Sequence, residues 1–426
     1  MPDASVQQDT GGSSEAGSPA DIVLGILSHN NADTIANVVR DAQQGLATCF
    51  PARRSVIVHA DGGSKDGTRE QAELAAAGND TFVQIAYTIY PAQKISPESF
   101  GVPGKADGVQ AIFAAAAGMN AAACAIFDST VGIPVQGSIS ALVRPVIEKE
   151  IDFVAPRYER HKYDAAILNG IVYPLTRALY SRRIHQPIGG DYAVSGKLMR
   201  YLSGQPWPDG DASSSDADAW IIVQTLCGGF RIAEAMVGPR VLSQHDPAPE
   251  TSRILAQALG SIFAEMNRSA GFWQKTRGSQ AVPIFGPCVD PPADPAPVDA
   301  GPMVQSFRLG YQNLQDIYRL ILPPATLMEL KRMCLQKAES FRFDDMLWAR
   351  VVYDFALAWR ARAIDRDHLL GALTPLYLGW VGAWVSMVRD EGPEQVQERL
   401  ETLCMAYETQ KGYLISRWRW PDRFNP

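Results

Sequence analysis

Cysteine is scarce in this sequence. Its six residues, Cys49, Cys124, Cys227, Cys288, Cys334 and Cys404, form no C-x-x-C pair. Most lie in apolar surroundings, so they read as reduced thiols of a cytoplasmic protein and not as a disulfide framework. Positive charge is also short: 39 Lys and Arg stand against 46 Asp and Glu, a formal net charge of −7. That balance excludes nucleic acid or an anionic membrane as the main partner and points toward small-molecule chemistry. Residues 1–20 lack both a basic start and an apolar run, so a disordered tail is expected there and not a signal peptide. Internal repeats and coiled-coil heptads are absent.

Long uncharged runs are rare. The exception is Leu369 to Val388 (LLGALTPLYLGWVGAWVSMV), twenty residues and about the length of a membrane span. It carries Pro375, Thr374 and several glycines, and acidic and basic flanks of similar weight give no orientation signal. The expectation is a buried helix pair and no transmembrane span.

What is present is a globular composition, 46% hydrophobic and 20% charged over 426 residues, long enough for two domains. Short apolar runs alternate with helical patterns. Strands are expected at Asp21 to Leu27, Ser55 to His59, Phe82 to Tyr87 and Ala123 to Phe127. Helices are expected after Asn31 or Asp33, from Thr68 to Ala77 and from Lys105 to Met119. This alternation implies a mainly parallel sheet with helices on both faces, whose ligands bind beyond the carboxyl ends of the strands. Asp61 and Asp128 fall at two such ends. Seven prolines between Pro283 and Pro302 mark a stiff linker. The expected organisation is a tail (1–20), an α/β domain (21–276), a linker (277–303) and a helical domain (304–426).

Four segments carry candidate chemistry. In HADGGSKDGT (59–68), Asp61 can accept hydrogen bonds from a nucleobase or ribose, the glycines let the backbone approach a ligand, and Ser64 and Asp66 can cap the next helix. The same segment also reads as a plain strand–helix turn. Lys105, in a Gly-rich loop at a helix start, is placed to pair with a diphosphate. Gln186-Pro-Ile-Gly-Gly-Asp191 offers paired glycines, Gly189 and Gly190, that let the backbone turn closely, followed by an acid, Asp191; it also reads as a Gly-Gly turn with a capping acid. Asp218, with Asp216 beside it, opens an apolar helix, where an acid also complements the helix dipole. A polar stretch from Arg157 to Asn169 suits an anionic acceptor and equally a solvated loop.

HADGGSKDGT resembles the D-[DG]-G-S-x-D-G-T signature of GT-A fold glycosyltransferases. The segments around Lys105 and Asp191 are similar to those of the glucosyl-3-phosphoglycerate and mannosylglycerate synthase branch. The resemblance covers residues 21 to about 250 with clear motifs and the C-terminal helices only by texture. It implies that Asp61 contacts the nucleoside, that Ser64 lies near the ribose, and that Leu27, Asn30 and Asp33 line the base pocket. It implies donor phosphates on Lys105, and a divalent metal (Mg2+ or Mn2+) held by Asp128 and His245, with Asp246 as a second possibility. Asp191 would bind donor hydroxyls and Asp218 would lie near the acceptor. Where the family has a second acid, in D-x-D, this sequence has Thr130, a departure that weakens a metal site without abolishing it.

The function so implied is transfer of a hexosyl group from a UDP- or GDP-sugar to a small hydroxylated, glycerate-like acceptor. The branch retains configuration and needs no dedicated base; an inverting reaction would call on Asp218 or Asp191. A catalytically impaired nucleotide-sugar-binding protein and a sugar nucleotidyltransferase are the competing readings. The latter lacks its usual basic Gly-rich loop after the first strand. The C-terminal helices suit homodimerisation, acceptor access or membrane apposition equally.

Overall fold

The computed structural model describes residues 19–89, 102–129, 135–164, 166–188, 190–208, 217–239, 251–287, 298–337 and 340–420. The N-terminal part runs β1 (Ile22–Ser28), α1 (Ala32–Cys49), β2 (Ser55–Asp61), α2 (Thr68–Ala75) and β3 (Phe82–Ala86). It continues with α3 (Lys105–Gly118), β4 (Ala123–Asp128), α4 (Val135–Lys149) and β5 (Phe153–Glu159). A π-helical turn, Leu168–Val172, leads into α5 (Tyr173–Tyr180) and β6 (Arg182–Arg183). Next come β7 (Tyr192–Ser195), α6 (Gly196–Ser203), α7 (Ala217–Cys227), β8 (Ile232–Pro239), α8 (Thr251–Arg268) and α9 (Ala270–Trp273). Two short strands follow, β9 (Gln280–Ala281) and β10 (Ile284–Phe285). The rest is helical: α10 (Gly301–Asn313), α11 (Gln315–Ile321), α12 (Pro324–Cys334), α13 (Asp345–Ala361), α14 (Arg366–Val388) and α15 (Pro393–Arg419).

Eight strands form one sheet in the order β10-β8-β5-β7-β4-β1-β2-β3, parallel except for β7. Side chains alternate across it as strand geometry requires. Ile22, Leu24 and Ile26 of β1 face α1, α2 and α4, while Val23 and Leu27 face α3 and the core shared with the C-terminal helices. This is the expected α/β class, a mainly parallel sheet flanked by helices and followed by a helical region.

Two expectations change. The run from Leu369 to Val388 is not a helix pair but part of one helix, α14, despite Pro375. A proline ring costs a helix one hydrogen bond and crowds the preceding turn. Here the ring packs where Gly310 of α10 has no side chain, and the nearby Ala372 carbonyl accepts the Tyr318 hydroxyl at 2.9 Å. By length and composition α14 passes as a membrane span, yet 72% of its most apolar window is buried inside the protein. The second change concerns the stretch read as a linker, which begins with β9 and β10. β10 adds an edge strand to β8, and Pro283 just before it offers its carbonyl to Glu234 N at 2.9 Å. Edge strands are where prolines are tolerated. The five described cysteines are free thiols.

The C-terminal helices grip the α/β part at one peptide. The Gly170 carbonyl accepts Trp348 Nε1 of α13 at 2.9 Å and the Tyr407 hydroxyl of α15 at 3.0 Å. A Cβ on Gly170 would lie 2.3 Å from the Trp380 ring of α14. Overpacking of this kind costs about 1–3 kcal/mol. Gly170→Ala is therefore expected to lower unfolding free energy by about 2 kcal/mol or more, read as a shifted urea midpoint at constant slope; a shift below about 0.5 kcal/mol would refute the clasp.

Candidate active site

Three parallel strands end side by side. Ser28 of β1 pairs with Asp61 of β2, and Leu27 of β1 pairs with Asp128 of β4. The loops beyond β1 and β2 are laced together. Asn30 N donates to Ser64 Oγ at 2.9 Å, Asn31 N to Thr68 Oγ1 at 2.8 Å and Ala32 N to Asp66 Oδ2 at 2.9 Å. Lys65 N donates back to Asn30 Oδ1 at 3.1 Å. Asn30 holds φ at 51°, a left-handed conformation that asparagine tolerates better than most residues. Ser64 and Asp66 were expected to cap α2. Asp66 does accept Thr68 N at 3.1 Å, but its other oxygen satisfies the first amide of α1.

Behind this edge runs a buried polar chain with one consistent direction. Gln84 Nε2 donates to the Arg69 carbonyl and faces His59 Nδ1 at 3.0 Å, so Nδ1 is the acceptor. His59 Nε2–H then donates to Ser28 Oγ at 2.7 Å, and Ser28 donates to Asp61 Oδ1 at 3.3 Å. Burial holds His59 neutral, lowering its pKa to about 4. Asp61 is wholly buried, and its oxygens also accept Gly63 N and Ser64 N at 2.9 Å and the Ser64 hydroxyl. Its carboxylate thus shapes the loop that follows it. Tyr87 lies between the two acids, its hydroxyl bonding the Pro103 carbonyl at 3.1 Å, and burial raises its pKa.

Lys105 is the centre of the site. As the first residue of α3, following Gly104 at a left-handed φ of 68°, it sends a buried ammonium toward three oxygens. These are Asp218 Oδ2 at 2.9 Å, the Gly190 carbonyl at 3.0 Å and Asp128 Oδ2 at 3.9 Å. Gly190, at φ 89°, also gives its N–H to Asp218 Oδ2 at 3.2 Å. Asp191 accepts Asp128 N at 3.0 Å and the Tyr158 hydroxyl at 3.0 Å. Asp218 has its pKa raised, burial outweighing the pull of Lys105.

Lys105, Asp128, Gly190, Asp191 and Asp218 therefore form one cluster. Asp61 and Ser64 adjoin it across β1, with Asn30 laced to Ser64. Asp33 is exposed in the first turn of α1. The Leu27 side chain is fully buried, beside the bare backbone of Gly108, where a Cβ would lie 2.5 Å from it. Gly189, His245, and with them Thr130, Asp216 and Asp246, lie outside the described residues. For the expected metal the fit is partial. Among the described residues no group of three His, Cys, Asp or Glu is arranged to hold an ion, and Asp128 is the carboxylate on offer from the expected set. Sequence reasoning missed Tyr158, Ser28, His59 and Gln84. His59 lay inside the quoted motif and Tyr158 inside the polar stretch from Arg157 to Asn169, both without a role of their own, and nothing local marked Ser28 or Gln84.

The His59 shift has a signed consequence. Because the folded pKa lies below the ordinary 6.5, the unfolded chain binds the extra proton first as pH falls, so His59 removes stability between pH 6.5 and 4. The loss reaches roughly 3 kcal/mol. Urea midpoints of the parent and His59→Gln across pH 4–7 should converge as pH falls; parallel curves would rule out a buried neutral histidine.

No protein-family model and no curated protein sequence matches this chain. Solved structures do. Glucosyl-3-phosphoglycerate synthase from Mycobacterium tuberculosis in complex with phosphoglyceric acid is 21% identical, over 60% of this chain and 81% of that one, at a TM-score of 0.43. The same synthase with Mn2+, uridine diphosphate and glucosyl-3-phosphoglycerate is 21% identical over the same shares, at 0.41. A mycobacterial protein is 20% identical over 60% of this chain and 76% of its own, at 0.42. At such distance the fold rests on its own strand order and the site on its own geometry.

Proposed function

We propose that this chain is a glycosyltransferase that moves a hexosyl group from a nucleoside-diphosphate sugar to a small hydroxylated acceptor. The observation that supports this reading most is the buried Lys105 ammonium at a helix start, meeting Asp128, Gly190 and Asp218 beyond the carboxyl ends of the sheet. A fixed cation at that place is what a diphosphate leaving group needs, since charge builds on it as the sugar departs.

In this reading the loops after β1 and β2 form the nucleoside side of the cleft, with Asn30, Asp33, Asp61 and Ser64 around the base and ribose. Lys105 pairs with the diphosphate. Asp128, together with His245, would hold a divalent cation. When bound, that cation would add positive charge beside the phosphates. Asp191, fixed by Tyr158 and by Asp128 N, orients donor hydroxyls, and Asp218 lies toward the acceptor. The bond from the anomeric carbon to the phosphate oxygen breaks, leaving its electron pair on the diphosphate. The acceptor oxygen bonds to that carbon and its proton passes to the departing phosphate oxygen, which retains configuration. The stretch from Arg157 to Asn169 would receive an anionic, glycerate-like acceptor.

A second reading is a nucleotide-sugar-binding protein without turnover, favoured by Thr130 at the second acid position and by the partial metal fit. One set of assays separates the two. Purified protein with UDP-glucose or GDP-mannose, glycerate acceptors and Mn2+ or Mg2+ should release nucleoside diphosphate and form glycoside, and chelation should abolish both. Lys105→Ala and Asp128→Asn should each lower turnover by about 10²–10³-fold. Tight donor binding with no hydrolysis or transfer would favour the binding protein, and no donor binding at all would sink both readings.

A further inference from the structure

We infer that Gln186 determines donor specificity by accepting a hydrogen bond from one hydroxyl of the hexose, an inference that rests on the glycosyltransferase reading. Gln186 is only 7% exposed. Its Nε2 donates to the Tyr158 carbonyl at 3.2 Å. That bond fixes the amide, because turning it over would set two acceptors against each other. Oε1 is the other end, and Gln186 lines a crevice with Asp191, Asp218, Tyr192 and Pro187. Among the described residues Oε1 is buried and has no hydrogen-bond partner.

A buried acceptor without a partner carries a desolvation cost that folding alone does not offset, so such an atom in a cleft calls for a donor from outside. The acids around it narrow the choice. The Asp191 and Asp218 carboxyl oxygens accept hydrogen bonds as well, so a ring of hydroxyls supplies the donor that Oε1 lacks. The two acceptors are also held by one residue: the Tyr158 carbonyl fixes Gln186 and the Tyr158 hydroxyl fixes Asp191. Groups preorganised in this way discriminate strongly, because a substrate lacking the matching hydroxyl leaves the oxygen unpaired.

The test uses the full chain with UDP, GDP, UDP-glucose, GDP-mannose and the monodeoxy forms of whichever sugar nucleotide the parent turns over. Gln186→Leu should leave nucleoside diphosphate affinity within about twofold while lowering kcat/KM for the intact donor by roughly 30-fold or more. One monodeoxy donor should show a similar loss with the parent and no further loss with the variant. Gln186→Asn, which keeps an amide but draws its oxygen back by one methylene, should show the same pattern in weaker form and serves where the leucine variant fails to fold. Equal activity of parent and variant, or an equal loss across every deoxy donor, would mean that Gln186 holds a structural water, and would overturn this inference while leaving the glycosyltransferase reading intact. A parent that binds no nucleotide and no sugar nucleotide overturns both together.

Discussion

An ammonium buried at the mouth of the sheet is the constraint on which the site depends. Removing a lysine charge from water costs several kcal/mol unless oxygen partners surround it. Lys105 obtains them from three separate segments: β4 through Asp128, the loop before β7 through Gly190, and α7 through Asp218. None of these could drift without stranding a charge. Gly190 contributes because its left-handed backbone turns the carbonyl toward Nζ while its N–H meets Asp218. Asp191 follows directly, pinned by the amide of the very acid that faces Lys105. Ligand recognition and local rigidity thus use the same few bonds.

Much of this was legible in the sequence, and for a physical reason. Asp61 and Asp128 follow apolar runs whose period and length identify strands, and parallel sheets collect ligands at strand ends. Lys105 stood out by its glycines. What stayed hidden was long-range pairing. β7 is only four residues long and antiparallel, below what periodicity can resolve. Pro156 lies in the middle of β5, where a proline argues against a central strand. In the fold β5 runs to Glu159 because beyond Val154 it pairs only with β8, so a missing N–H need not break a two-sided ladder. That extension carries Tyr158, which lay inside the polar stretch from Arg157 to Asn169, but its part in holding Asp191 and Gln186 depends on pairing that the local pattern does not show.

The C-terminal helices are bound into the site's support and not merely appended. Besides their grip on Gly170, they hold the loop after β5. Lys162 Nζ donates to the Arg389 and Glu391 carbonyls at 2.7 and 3.2 Å, closing the end of α14, while Trp384 Nε1 donates to the Lys162 carbonyl at 3.2 Å. Arg177 of α5 is fully buried and bidentate to Glu401 of α15, and Lys411 caps the Ala178 and Leu179 carbonyls. Charge-assisted bonds of this kind are directional as well as strong. They fasten the loop after β5 and the helix α5 to the C-terminal helices.

The reversed direction of β7 has a consequence for how the acid before it is held. Every parallel strand delivers its last residue to the ligand edge, but β7 delivers its first, Tyr192, directly after Asp191. The loop leading in is held as well, His185 N donating to Glu234, Gln186 Nε2 to the Tyr158 carbonyl, and the Gly190 carbonyl accepting Lys105. Within the strand the register is equally fixed. A slip of one residue would exchange its two faces and carry Asp191 away from both Asp128 and Tyr158. The acid is therefore held from both sides, by the bonds of the loop before it and by the register of the strand after it.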